Sequence, residues 1–558
     1  MTGPEAPALV AFEADPAALA RVDDELRNRY GRDYHIVTAP LPTAGRVLDG
    51  LRGTGRRVIV VLAGAVDHRD ALATLNASRA VFPAAKRCLL LTWGDRTAAE
   101  VILRGVTRGD LDYWLPRPLT APDETFHQAI AEFLGDWSRR YRPSEALRVV
   151  GRGWDPPTSA LRDMLTRNGI PFGFHEAGSA EADLVLAAAG TPAPARLPVL
   201  VLPDGSVQEQ PSPTTLGQAL GIATTAPAGV FDVAIVGAGP AGMAAAVYAA
   251  SEGLTTAVVE STAIGGQAGT SSLIRNYLGF PRGINGADLA QRAYLQAWAF
   301  GARFVYGNPA CGLEPDGDQR ILTLSDGSQV RARAVVLAMG VTYRMLNIPD
   351  LERFHGAGVY YGAATAQAPL IVGQDVLVVG GGNSAGQAAT YLAAHARRVT
   401  VLVRGNSLAQ SMSDYLIRAM THTPNITICY HSEITGGAGT DRLRQVTVRD
   451  HATGHTRTQP AVAAFIMIGA SPGTTWLPDT VHRDPWGYLR TAHHPDAEHD
   501  RYHTALPGVF AVGDVRAGSV KRVASAVGEG SVVIGSVHDY LTTRPPPPPY
   551  ITGVQPRA

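Results

Sequence analysis

Cysteine is nearly absent: the 558-residue chain carries only Cys88, Cys311 and Cys429, far apart and with no C-x-x-C. That excludes a disulfide framework and a zinc site built on cysteine pairs, and it leaves no neighbouring dithiol. Lysine is scarcer still, with Lys86 and Lys521 alone; arginine supplies every other basic side chain. No apolar run approaches the about 18 residues of a membrane-spanning helix. Met1 to Val10 lacks the basic-then-apolar order of a secretory leader, so a soluble, cytoplasmic chain is expected. Net charge is missing too. The 49 basic and 49 acidic groups cancel, and nothing draws the chain as a whole to nucleic acid or an anionic membrane. What is plentiful is glycine, 60 residues, and proline, 39, within a chain that is 45% hydrophobic and 18% charged. Such a composition argues for folded domains rich in tight turns, and the length allows roughly three to four of them at about 150 residues each.

Texture divides the chain. Over 1–140, runs such as Ala8 to Glu13, His35 to Ala39, Val58 to Leu62, Cys88 to Thr92 and Leu111 to Leu115 read as strands. Ala17 to Tyr30 and Phe126 to Trp137 have helical periodicity. Alternation of this kind predicts a parallel sheet with helices on both faces. A smaller α/β unit is expected over 145–223, with a strand at Leu147 to Gly151, a helix at Thr158 to Asn168 and a short strand at Leu184 to Ala187. Thr224 to Gly229 reads as a linker. A large unit follows from Val230 to Leu541, and a proline-rich tail occupies 542–558.

The large unit opens on a strand leading into Gly237-Ala238-Gly239-Pro240-Ala241-Gly242 and a helix. The spacing is G-x-G-x-x-G: one glycine for the turn, one for approach of backbone to a pyrophosphate, one for close helix packing. The next strand, Thr256 to Val259, delivers Glu260, placed to accept hydrogen bonds from ribose hydroxyls. A second loop, Gly380-Gly381-Gly382-Asn383-Ser384-Ala385, again follows a strand. Its partner strand, Arg398 to Val403, ends without an acid and is followed by Arg404, a pattern that favours the 2′-phosphate of NADP. Further on, Val509 to Val512 runs into Gly513-Asp514, and a helix is expected from about Arg522. Asp514 is placed to hold a ribityl chain, and the helix N-terminus to favour negative charge on a reduced flavin.

With these residues in place, the stretch from Val230 to Leu541 resembles the low-molecular-weight thioredoxin reductases. The shared motifs are the first glycine loop, Ile264-Gly265-Gly266-Gln267, Asn276-Tyr277-Leu278-Gly279-Phe280-Pro281 and Ala338-Met339-Gly340. The second glycine loop, Ile468-Gly469, and Gly513-Asp514 through Lys521-Arg522-Val523 complete the set. The resemblance implies two Rossmann-like domains, an FAD domain in two pieces (230–344 and 470–541) with an NADPH domain (345–469) inserted. It also implies FAD contacts from Gly266, Gln267, Asn276, Gly340, Asp514, Lys521, Arg522 and Val523, an NADP site that includes Gly469, rotation of the inserted domain during turnover, and a homodimer. Lys521 has two readings, support of the reduced flavin or a phosphate or surface contact. One departure outweighs the matches. The family's C-x-x-C falls here on Gly362 and Thr365, and Ala241 excludes a relative's cysteine in the first loop. None of these can form a thiolate, so direct thioredoxin reduction by the usual route is not expected.

The two preceding segments resemble known modules whose chemistry is also missing. The first is similar to a flavodoxin-like response-regulator receiver. Glu13-Ala14 stands at the acid pair, Gly64 at the phosphoacceptor, Arg117-Pro118 at Lys-Pro, Thr92 is kept, and Asp67 lies three residues late. The second is similar to a glutaredoxin or thioredoxin fold, with Asp155 and Thr158 at the cysteine positions and Leu197-Pro198 where a cis-proline is expected. Cys311 and Cys429 are expected to be buried. The reading is therefore an FAD-dependent NAD(P)H oxidoreductase delivering electrons to a small molecule, quinone, dioxygen or partner redox protein. A flavin-responsive sensor or scaffold, and a disulfide reductase using substrate thiols, stay open. No catalytic acid, nucleophile or metal ligand is assigned, and a protein partner of the receiver-like module is expected.

Overall fold

The computed structural model describes residues 6–95, 97–108, 110–141, 147–271, 273–280, 283–362, 367–491 and 501–543. Pro281, Thr365 and the proline-rich tail from residue 544 on, all singled out in the sequence, lie outside them. The chain divides into two compact units. One comprises Met1–Ser144 with Leu392–Ala394 and Leu408–Thr427; the other comprises the remainder.

In the first unit, strands β1 (Ala8–Glu13), β2 (His35–Pro40), β3 (Val58–Gly64), β4 (Lys86–Leu91) and β5 (Tyr113–Pro116) form one parallel sheet in the order β2-β1-β3-β4-β5. Every residue of β1 and β3 is buried, because helices cover both faces. Along β1 the pleat sends Ala8, Val10 and Phe12 into one core and Leu9 and Ala11 into the other. The sequence pattern of uninterrupted apolar runs follows from that two-sided burial.

The second unit holds three sheet-bearing parts. Strands β6 (Leu147–Gly151), β7 (Phe172–Glu176), β8 (Val199–Val201) and β9 (Val207–Glu209) make a mixed sheet ordered β7-β6-β8-β9, and the Leu197–Pro198 bond is cis. The short strand expected at Leu184 to Ala187 is instead part of the helix Ala180–Ala188. Ser179 caps that helix, and Ala182, Val185 and Leu186 are its buried residues, a helical rather than alternating spacing.

Strands β10 (Val230–Val236), β11 (Thr256–Glu260), β12 (Arg303–Tyr306), β13 (Ala310–Asp316), β14 (Gln319–Leu324) and β15 (Gln329–Leu337) form the first lobe's sheet. The chain then leaves through β16 (Thr342–Tyr343) and builds the inserted lobe from β17 (Val359–Tyr361), β18 (Asp375–Val379), β19 (Arg398–Leu402) and β20 (Ile426–Cys429). A meander of β21 (Ser432–Ala438), β22 (Gln445–Asp450) and β23 (Thr456–Pro460) precedes β24 (Ala463–Ile466), which inserts between β17 and β18. The return passes through β25 (Ala470–Ser471), antiparallel to β16, and β26 (Val509–Ala511) rejoins the first sheet beside β15.

The two cysteines expected to be buried are not. Cys311 is exposed and Cys429 half-buried, whereas Cys88 is buried. Both misread residues sit on edge strands, β13 and β20, where a sheet has no neighbour to cover it. Among the described residues no helix is long and apolar enough to cross a membrane.

Candidate functional site

The first glycine loop is built by backbone crowding that only glycine tolerates. Gly237 has φ +102°, and a Cβ there would lie 2.5 Å from the Ala338 carbonyl oxygen; one on Gly242 would lie 1.9 Å from the Gly237 oxygen. The helix Pro240–Ser251 therefore begins tight against the strand end. Gly239 occupies its N-cap without a side-chain cap, so the first amides stay open to an anion. Around Gly239 no atom lies within 4 Å of a built Cβ, and Gly266 borders it from the next motif, where an added Cβ would lie 3.1 Å from the Gly239 Cα. An open cradle lined by free amides fits a pyrophosphate.

Glu260 stands at the end of β11, 8% exposed. Its Oε2 accepts from Ala238 N at 2.7 Å and its Oε1 from Thr262 N and Ala263 N at 2.8 and 3.1 Å. These bonds fix the carboxylate at the lip of the loop.

Asp514 reaches the same region from β26. Its neighbour Gly513 has φ +72° and donates its N–H to Glu529 Oε2 at 2.7 Å, while Glu529 Oε1 pairs with Arg516 Nη2 at 2.5 Å. The Asp514 carboxylate takes no hydrogen bond from any described residue, and its pKa is pushed up because burial strips it of water. A desolvated acceptor without a donor is what a ribityl hydroxyl would complete. Lys521 Nζ donates to the Asp514 carbonyl at 2.5 Å and to Ser519 Oγ at 2.9 Å, and lies 4.5 Å from the Tyr488 ring centroid. Burial pushes its pKa down, with Asp514 opposing. Arg522 is the N-cap of the helix Val523–Thr542, again without a side-chain cap. That helix packs closely on Pro240–Ser251: a Cβ on Gly530 would lie 2.0 Å from the Ala241 oxygen.

Gln267 Nε2 donates to the Val341 carbonyl, and Gly340 has φ +65°. Asn276 sits in an exposed turn with no hydrogen bond among the described residues, apart from the buried cluster. Tyr488, Arg516 and Glu529 complete the Asp514 surroundings; Tyr488 lies outside every motif and carried no sequence signal, and Arg516, within the last motif, was not singled out.

In the inserted lobe, Gly380 has φ +146°, and a Cβ there would lie 2.3 Å from the Met467 oxygen. Gly382 precedes the helix Asn383–Ala393, which starts with Asn383, Ser384 and Ala385. Arg404 is exposed just beyond β19, and Gly469, φ +96°, accepts from Arg344 N at 3.0 Å before β25. Gly362, with φ +96°, follows β17. A Cβ there would lie 2.2 Å from Tyr343 Cε2, and burial raises the Tyr343 pKa while its hydroxyl bonds Thr270.

The positions singled out in the two preceding segments are tied up by local contacts. In the first unit Glu13 pairs with Arg117 (Oε2–Nε 2.8 Å), whose Nη1 donates to Thr92 Oγ1 at 2.9 Å. A Cβ on Gly64 would lie 2.0 Å from Glu13 Oε2. Asp67 caps the helix His68–Val81. Asp155 caps Pro156–Arg167, accepting from Thr158 N and Oγ1 at 3.3 and 3.0 Å.

Two nucleotide loops on two such lobes define a class. Residues 231–530 match the family model described as pyridine nucleotide-disulphide oxidoreductase, and the chain belongs to that family. Within it the chain is similar to the thioredoxin reductase of Treponema pallidum, 34% identical over 313 residues, 56% of this chain and 98% of the relative. That of Bacillus subtilis is 32% identical over 317 residues, 56% and 95% of the two chains. Among solved structures, Lactococcus lactis thioredoxin reductase (FR conformation) aligns at a TM-score of 0.53 and 28% identity, over 56% of this chain and all of that one. The T. acidophilum enzyme aligns at 0.52 and 29%, over 56% and 98%. This is a thioredoxin reductase-like oxidoreductase whose cofactors are FAD and NADPH.

Proposed function

We propose that the chain is an FAD-dependent NAD(P)H oxidoreductase whose acceptor is not a dithiol of its own: a small organic molecule, a quinone, dioxygen or a partner redox protein. The observation that carries this reading is at Gly362. Where the resemblance puts the first redox cysteine there is no side chain, and the Tyr343 ring fills the space that a Cβ would need. The three cysteines do not replace it, since Cys88 is buried in the first unit and Cys311 and Cys429 lie on edge strands of different sheets.

FAD, once bound, would supply the two-electron chemistry between NADPH and the acceptor. The chain's part is binding and electrostatics. The amides after Gly239 hold the pyrophosphate, Glu260 the ribose and Asp514 the ribityl chain, with Gly266, Gln267 and Gly340 shaping the wall. The uncapped start of Val523–Thr542 and the Lys521 ammonium supply positive potential beside Asp514. Gly380, Gly382, Asn383, Ser384 and Ala385 hold the NADPH pyrophosphate, with Arg404 on the 2′-phosphate.

For the first unit we propose a receiver-like protein-binding module without phosphorylation, supported by Gly64 at the acceptor position, where the Arg117-paired Glu13 carboxylate occupies the space a side chain would need. For residues 145–223 we propose a thioredoxin-fold module without thiol chemistry, supported by its strand order and the Asp155–Thr158 cap.

Anaerobic rapid mixing with NADPH tests the main reading. The flavin absorbance should bleach within the turnover time and return on addition of one acceptor class. Tight NADPH binding without bleaching would overturn it in favour of a sensor.

A further inference from the structure

The chain crosses between the two nucleotide lobes twice, at β16 and β25, and those strands pair only as Thr342↔Ser471 and Tyr343↔Ala470. A two-residue ribbon is a weak constraint on the angle between two sheets. A third body touches both.

Residues 147–220 grip the first lobe through the end of the helix Pro156–Arg167. Asn168 Nδ2 donates to the Tyr306 hydroxyl at 2.9 Å and to the Thr262 carbonyl at 3.3 Å, and Asn168 Oδ1 accepts from Ile264 N at 3.1 Å. Tyr306 in turn donates to Thr262 O at 2.8 Å, closing the cluster. A second grip comes from Thr214 Oγ1, which donates to the Gly307 carbonyl at 2.7 Å. Gly217 has no side chain, and a Cβ there would lie 2.9 Å from the Tyr306 ring.

The opposite end of the same helix meets the inserted lobe. A Cβ on Gly356 would lie 2.8 Å from Pro156 Cα, so two main chains lie in direct apposition. The Arg442 guanidinium stands 4.8 Å from the Trp154 ring centroid. A Cβ on Gly153 would lie 2.9 Å from Leu370 Cδ2. Glycines at 153, 217 and 356 let the surfaces close in, most strictly at 356, where the neighbour is main chain, and the cation–π and hydrogen-bonded contacts add direction.

We propose that residues 147–220 are an intramolecular clamp: the Trp154–Pro156 edge docks on the inserted lobe, Asn168 and Thr214 dock on the first lobe, and one helix between them fixes the angle of the two. The aromatic-and-proline edge that a thioredoxin-like module would offer to a diffusing partner is thereby spent on this chain's own surface. The inserted lobe turns little or not at all. This inference goes beyond the electron-transfer reading and does not rest on it.

Double electron–electron resonance on the full-length, FAD-loaded protein tests it. Spin labels go on Cys311, exposed in the first lobe, and on Thr456→Cys, exposed in the inserted lobe, in a Cys429→Ser background. Cys88 is buried and stays unlabelled. The expected result is one narrow distance, unmoved by NADPH, whose width at least doubles in Trp154→Ala/Asn168→Ala. Should that pair fail to fold, Arg442→Ala and Asn168→Ala singly are expected to broaden the distance to a lesser degree. A native distance that shifts or splits when NADPH is added overturns the clamp. So does a distribution that stays narrow in folded clamp variants. Neither result depends on which acceptor takes the electrons.

Discussion

Asp514 carries a cost that its ligand would repay. An acid whose folded pKa lies above its unfolded value destabilises the fold wherever it is ionised; the penalty is full above the folded pKa and gone below the unfolded one, about 3.9. Burial raises Asp514, so the FAD-free protein carries that penalty at neutral pH. Asp514→Asn should make the apoprotein melt higher near neutrality, with the gain fading as the pH falls toward 4, about the ordinary carboxylate range. The same change should strip FAD during gel filtration. Melting curves in a pH series and the retained flavin absorbance check both halves, and a variant that holds FAD normally would remove Asp514 from the cofactor. Arg404 makes the opposite kind of case, because it is exposed and costs the fold little. Arg404→Ala is expected to weaken NADPH about tenfold, roughly 1.4 kcal/mol, while leaving NADH nearly unchanged in equilibrium titrations. Equal weakening of both would take it off the 2′-phosphate.

At the scale of elements, the ion pair at the ends of β1 and β5 is a buried tie across the first sheet. Glu13 is 1% exposed and its partner Arg117 bridges to Thr92 and the Ala65 carbonyl. Removing one member of a buried pair strands the other charge, which costs about 3–5 kcal/mol. Arg117→Ala should lower the first unit's urea midpoint accordingly, and Glu13→Gln in the same chain should restore part of it. No recovery in the double variant would mean the loss is one of packing. The sequence made some elements plain and hid others for physical reasons. Strands β1 and β3 were legible because burial on both faces leaves a long apolar run, and β10 because its buried end, from Val233 to Val236, is one. The glycine loops were legible because crowding at Gly237, Gly242 and Gly380 admits no other residue. Leu184 to Ala187 misled because four apolar residues fit either a strand or one turn of a helix, and Ser179 as N-cap decides it. The half-exposed strands β13, β21 and β23 carry mixed polarity and left no pattern to read.

For the molecule as a whole, the sequence could say which groups are present but not which face each other. The Tyr343 ring over Gly362 joins residues 19 positions apart, the Arg516–Glu529 pair behind Gly513 residues 13 apart, and the Asn168 grip residues 94 to 138 apart, and no periodicity reports such meetings. The function proposed above is a path for electrons that bypasses sulfur. If it does, removing every thiol should leave it intact. Cys88→Ala is expected to cost stability through the cavity it opens in a packed core, about 1 kcal/mol or slightly more. Cys311→Ser and Cys429→Ser, on edge strands, should cost almost nothing. The triple variant, assayed as FAD-loaded protein with the best acceptor found, should oxidise NADPH within about twofold of the parent, a barrier change of roughly 0.4 kcal/mol. A fall of a hundredfold in the triple variant, traced to one of the single exchanges while FAD stays bound, would put a thiol back in the path and end the non-dithiol reading.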